Sequence, residues 1–201
     1  MAATNRAARP AMTNSLFDMS LSAHLELFST MQTLRPAVEA AAERMQAALA
    51  AGGKVLVAGN GGSAADAQHF AAELVGRFQR TRAALGCIAL TTDTSSLTAI
   101  SNDCGFEMVF SRQIEALARP GDVFVGISTS GNSANVIAAV NEARNRGIAS
   151  IALLGRDGGK LEALADMAVV VPHQVTARIQ EAHIFILHHW ADVLERALAQ
   201  E

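Results

Sequence analysis

From Lys54 onward the chain alternates short apolar runs with stretches of helical character, and this alternation leaves few architectures open. The runs fall at 55–58, 87–90, 123–127, 148–154 and 167–171. Ser150 aside, each is apolar throughout rather than at every second residue, which is how a strand covered on both faces reads. Between them, 95–100 and 107–117 have short-helix character, 133–145 suggests a longer helix, and 176–198 a long terminal one. Such alternation calls for parallel strands joined by crossover helices. The expected fold is therefore α/β, a three-layer α/β/α sandwich around a five-stranded parallel sheet.

Upstream, apolar residues recur at helical spacing from Leu16 to about Leu34, and a second helix is expected from Pro36 to the Gly52–Gly53 pair. Together they read as an N-terminal helical hairpin. Leu25, Leu27, Phe28, Met31 and Leu34 spread over much of its surface, which suits packing against a second subunit as well as the chain's own core. The expected organisation is a flexible tail at 1–13, oligomer-packing helices at 14–53 and one α/β domain at 54–201. A chain of 201 residues, 50% hydrophobic, can bury one substantial core of this kind.

The net charge of -3 and scattered Lys and Arg lack the footprint of nucleic-acid or anionic-membrane binding. No apolar run is long enough to suggest a membrane span, and residues 1–13 lack the apolar segment of a secretory signal. Cys87 and Cys104, the only cysteines, are too few for a disulfide framework, fit a reducing cytosol, and read as small buried residues. A cytoplasmic location is expected.

In an open α/β sheet, ligands collect beyond the carboxyl ends of the strands, and here those positions are polar. After the first run comes GNGGS, after the second TTDTSS, after the third STSGNS, and after the fourth GRDGG. Gly59, Asn60, Gly61 and Gly62 free the backbone for a tight turn and close ligand approach, and Ser63 is suited to cap the following helix. That helix carries His69 and Glu73 at i and i+4, so imidazole and carboxylate share a face. Alone, such a pair is usually a solvated one. At a ligand edge with hydroxyl-rich turns nearby, it reads as a proton-transfer or metal-binding pair.

The STSGNS turn offers the hydroxyls of Ser128, Thr129, Ser130 and Ser133 together with helix-start amides. This set can enclose phosphate oxygens without Lys or Arg. Glu73 is about three turns into its helix, roughly 15 Å from the start. The phosphate is therefore assigned to STSGNS, leaving GNGG for the hydroxyl end of a sugar.

Three rival motifs fail. GNGGSA fits GxGxxA, but no acidic residue ends a strand about 20 positions later. No glycine turn is followed by Lys and then Ser or Thr, so there is no P-loop. GISTSG lacks the second glycine of a nucleophile elbow.

The terminal helix holds Gln180, Glu181, His183, His188 and His189, of which His183 and His189 read as structural. Gln180 and His188 are separated by about 12 Å of rise and about 80° of rotation. They reach one point only if their side chains lean together or if two chains contribute. Either route favours an oligomer.

The stretches GNGGSAADAQHFAAEL, TTDTSSLTAISND, GDVFVGISTSGNSANVI, GRDGGK and TARIQEAHIFILHH, in this order and spacing, closely resemble the phosphoheptose isomerase family of sugar isomerase (SIS) domain proteins. The resemblance covers about 54–198 and implies a flavodoxin-like SIS fold. It implies an aldose–ketose isomerase that interconverts sedoheptulose 7-phosphate and D-glycero-D-manno-heptose 7-phosphate for nucleotide-heptose biosynthesis. It further implies one Zn2+ per subunit on His69, Glu73, Gln180 and His188, with Glu73 and His188 as acid and base. Substrate contacts would come from Asn60, Gly61, Gly62, Ser63, Glu73, Asn102, Asp103, Ser128, Thr129, Ser130, Ser133 and Gln180, in a homotetramer with sites at subunit interfaces.

Two non-enzymatic readings compete. A replication-initiator-binding relative shares GNG and RIQE stretches but lacks the acid and histidine pair that this chain keeps in Glu73 and His188. A phosphosugar-sensing regulatory domain is disfavoured by the absence of a DNA-binding module or basic face.

Overall fold

A computed structural model describes residues 15–199; the tail expected at 1–13 lies outside them. Two helices, α1 (Leu16–Thr30) and α2 (Arg35–Ala50), are linked by a 3-10 turn at Met31–Leu34. The order then runs β1 (Val55–Gly59), α3 (Gly62–Val75), β2 (Cys87–Ala89), α4 (Thr94–Cys104), a 3-10 turn at Phe106–Met108, α5 (Ser111–Leu117) and β3 (Val123–Ser128). It continues through α6 (Ala134–Asn145), β4 (Ala149–Gly155), α7 (Gly159–Leu164), β5 (Met167–Val171) and α8 (Thr176–Leu198).

All strand pairs are parallel and the sheet order is β2-β1-β3-β4-β5. This is the flavodoxin-like order, in which the chain leaves β1 and β3 in opposite directions and opens a crevice at their carboxyl ends. Alternate strand residues serve different cores. Val55, Val57, Val125 and Ile127 pack under α2, α3 and α8, whereas Leu56, Ala58 and Phe124 pack under α5 and α6. Both faces being dry explains the unbroken apolar runs in the sequence.

The long terminal helix organises one face. Trp190, fully buried, donates its indole N–H to Val38 O at 2.9 Å and locks α8 to α2. Where a hairpin was expected, α1 and α2 rest chiefly against α8 rather than on each other. Helices α3 and α8 run parallel, Gly62 facing Gln180 at one level and His69 facing His188 at a later one. This register carries the site.

Three expectations are corrected. Ser63 does not cap α3: Gly61 takes the cap position, and Ser63 lies buried in the first turn. Its hydroxyl is thus removed from the turn's ligand-facing surface. Cys104 is exposed at the end of α4, and only Cys87 is buried. Helix α7, unforeseen, is too short for periodicity to register.

Candidate active site at the carboxyl edge of the sheet

The His69–Glu73 pair lies on α3 as its spacing requires, with His69 Nε2 3.3 Å from Glu73 Oε1. Across the helix interface, His188 of α8 brings its Nε2 to 2.8 Å from His69 Nε2. Ligand atoms of all three lie within 4.8 Å of one another. Two imidazole nitrogens and a carboxylate oxygen thus converge on one point. Zinc at about 2.05 Å from its ligands would set them roughly 3.3 Å apart, close to these spacings. The donor set fits a divalent ion, and its nitrogens and oxygen suit zinc among others.

Gln180 sits elsewhere on α8. Its carboxamide covers Gly62 so closely that a Cβ there would collide with it. It therefore faces the GNGG turn, two helical turns before His188. Gly61, at φ 55°, makes the turn into α3.

Asn60, from the same turn, is paired with Asn135 at the start of α6. Each Nδ2 donates to the other's Oδ1 at 2.9 Å. The pair bridges the turns after β1 and β3, and the 3% exposed Asn135 was missed by sequence reading although it lies two residues past Ser133.

In the hydroxyl-rich turn, Ser128 Oγ and Ser133 Oγ are 2.8 Å apart, while Ser130 Oγ accepts from Asn132 N at 3.2 Å. Ser133 is the residue before α6, yet its side chain makes no capping bond. Gly131, at φ 65°, packs directly on the backbone of Gly158, and Asn132 Oδ1 accepts Lys160 N at 3.2 Å. The turn after β4 thereby braces the turn after β3, and Thr129 and Ser130 stay partly accessible.

Asn102 and Asp103 are exposed on the last turn of α4, where Asn102 Nδ2 donates to Asp103 Oδ1 at 2.7 Å. Among the described residues, no hydrogen bond joins them to the rest of the site. Asp93 caps α4 by accepting from Ser96 N at 3.0 Å.

Sequence reading also missed Asp66, one turn before His69 on α3. Burial pushes its carboxyl up to about 6 despite the opposing pull of the His69 imidazole, and Oδ2 is buried without a partner. His183, by contrast, is structural as expected. It is fully buried beside Leu154 O at 2.9 Å, and burial drives its pKa down to about 4.

The family model described as SIS domain matches residues 21–155. Over 181 residues the chain is 55% identical to the phosphoheptose isomerase of Helicobacter hepaticus, covering 90% of this chain and 92% of that one. The structure of phosphoheptose isomerase from Neisseria gonorrhoeae superposes with a TM-score of 0.82 at 50% identity, covering 90% of this chain and 100% of that one. A phosphoheptose isomerase structure from Francisella tularensis gives 0.83 at 40% identity, covering 91% and 96% respectively.

Proposed function

Because the chain belongs to the phosphoheptose isomerase family of SIS-domain proteins, we propose that it isomerises sedoheptulose 7-phosphate to D-glycero-D-manno-heptose 7-phosphate, with Glu73 and His188 as the proton-transfer pair. The observation that carries the site assignment is the convergence of His69, Glu73 and His188 on one point.

Aldose–ketose isomerisation moves a proton from one carbon to its neighbour through an enediol, while the hydroxyl proton on the first carbon's oxygen moves to the second carbon's oxygen in the same sense. Glu73 Oε1 faces His69, which leaves Oε2 to take and return the carbon proton. His188 can pass a proton between the two sugar oxygens, and its Nε2 serves either as ligand or as proton carrier at any one time. Zinc held by His69 and Glu73, and by His188 while that ring carries no proton, would supply polarisation of the substrate's carbonyl oxygen.

The phosphate fits the turn of Ser128, Thr129, Ser130 and Ser133, whose hydroxyls join the first free amides of α6. Asn60, Gly61 and Gly62 with Gln180 then face the sugar's hydroxyls. Ser63 can contribute through its backbone, since its side chain is buried.

A homotetramer with sites completed at its interfaces suits the remaining observations. Leu16, Phe17 and Leu25 of α1 and Phe185 of α8 leave large apolar side chains in water. Asn102, Asp103 and the proposed fourth ligand Gln180 also stand apart from the His69 cluster within one chain. No helix among the described residues is long and apolar enough to cross a membrane, in keeping with cytoplasmic work on a sugar phosphate. A purely binding role is disfavoured because such a role needs no acid–base pair.

The test is conversion of sedoheptulose 7-phosphate by purified protein, followed by NMR, with metal content measured on the same sample. Glu73→Gln should remain folded and bind phosphate with almost no turnover; near-normal rates would refute the role of Glu73.

A further inference from the structure

Glu73 lies in the last turn of α3, where carbonyls lack intrahelical partners and fraying is easiest. The following Gly76, at φ -80°, does not supply the usual left-handed cap. Arg82 closes this end instead. Its Nη2 donates to Glu73 O and its Nη1 to Leu74 O, both at 2.8 Å, and Nη1 also reaches Ala83 O at 2.8 Å. The guanidinium thus folds the segment after α3 back onto the turn that carries Glu73.

Behind Arg82 stands Glu195 of α8, with Nε and Oε2 4.0 Å apart and both side chains wholly excluded from solvent. Glu195 accepts backbone N–H groups from Phe78 at 2.8 Å, Gln79 at 3.1 Å and Arg80. Burial opposes its ionisation, but these donors and the Arg82 cation hold its carboxyl below the ordinary glutamate value. It is a fixed anion. Phe78, anchored this way, stacks its ring on His188 with centroids 5.4 Å apart and planes 29° from parallel.

We propose that the buried Arg82–Glu195 pair is a positioning device for the acid–base pair, fixing Glu73 through its backbone carbonyl and His188 through the ring of Phe78. The proposal rests on the reading in which Glu73 and His188 do the chemistry. One buried ion pair then sets the spacing between two groups on different helices. A bare helix cap would hold Glu73 O and Leu74 O but would have no bearing on His188.

The test compares Arg82→Met, Arg82→Lys, Glu195→Gln and Phe78→Leu in the full-length protein. Zinc affinity by chelator competition and kcat and KM for sedoheptulose 7-phosphate are measured beside the thermal midpoint. Arg82→Met and Glu195→Gln should lower kcat and zinc affinity on the order of 10-fold or more while KM changes less than about 2-fold. Arg82→Lys should recover part of the loss, since it restores the charge and one donor.

Phe78→Leu leaves the ion pair and the backbone bonds in place, so it tests the His188 arm in a folded protein. Zinc affinity should fall with little change in midpoint. Wild-type kcat and zinc affinity in Phe78→Leu would overturn the proposal, even if Arg82→Met and Glu195→Gln fail to fold. Glu73→Gln run in parallel separates the two failures. Turnover there refutes the catalytic reading, whereas an inactive Glu73→Gln beside unaffected positioning variants refutes only the positioning.

Discussion

His69 and His188, from helices 119 residues apart in sequence, point Nε2 at Nε2 across 2.8 Å. At that distance both nitrogens cannot carry a proton, so the pair shares one proton or one cation. His69→Ala should therefore weaken zinc binding on the order of 100-fold or more, since a lost ligand costs more than a lost supporting contact. Chelator competition measures this, and unchanged affinity would contradict a metal role for His69.

Gly62 is expected to be a position where stability and activity separate. In Gly62→Ala the new methyl meets the far end of the Gln180 side chain, which can turn aside, and Gly62, the first residue of α3, has no left-handed backbone that alanine would strain. The variant should melt no lower than the parent yet show KM raised on the order of 10-fold, because Gln180 is pushed off the sugar turn. A normal KM would mean that Gln180 does not contact substrate.

Asn135→Asp should act on both counts. The carboxylate still accepts from Asn60 Nδ2 but has no N–H for Asn60 Oδ1, so two acceptors face each other in a buried place. The loss should be about 1–3 kcal/mol by denaturant titration. Substrate affinity should fall as well, since Asn60 loses its orientation. Unchanged KM would detach the amide pair from substrate binding.

His183 predicts acid sensitivity. In the unfolded chain it takes up a proton near pH 6.5, but in the fold burial holds its pKa near 4, so below pH 6.5 the unfolded state binds more protons. Stability falls as pH drops from 6.5 towards 4, by on the order of 3 kcal/mol for this group. A folded His183→Gln variant, which can still donate to Leu154 O, should show a shallower decline over that window. An identical slope would assign the acid lability to other groups.

The depth of sequence legibility differs by element. Residues 55–58 and 123–127 announced β1 and β3 because strands dry on both faces must be apolar at every position. Helix α7 spans only Gly159–Leu164 and was missed, since six residues hold less than two turns of pattern. Ser63 has cap chemistry, but Gly61 adopts the φ of 55° that the turn demands, so the helix begins two residues earlier. Cys104 was misplaced because its burial depends on where the end of α4 meets solvent, which its residue type does not tell.

The sequence by itself determined the layered α/β architecture, the polar carboxyl edge, and the shared face of His69 and Glu73, because strand period and the i, i+4 rule act over a few residues. Tertiary structure alone decided that α8 runs parallel to α3 in a register placing Gln180 on Gly62, His188 on His69 and Glu195 on the loop at Phe78. Those pairings depend on how two helices slide and rotate when they bury their apolar faces. Periodicity gives each helix its buried face but leaves the offset between them free, and that offset is fixed only by packing around anchors such as Trp190.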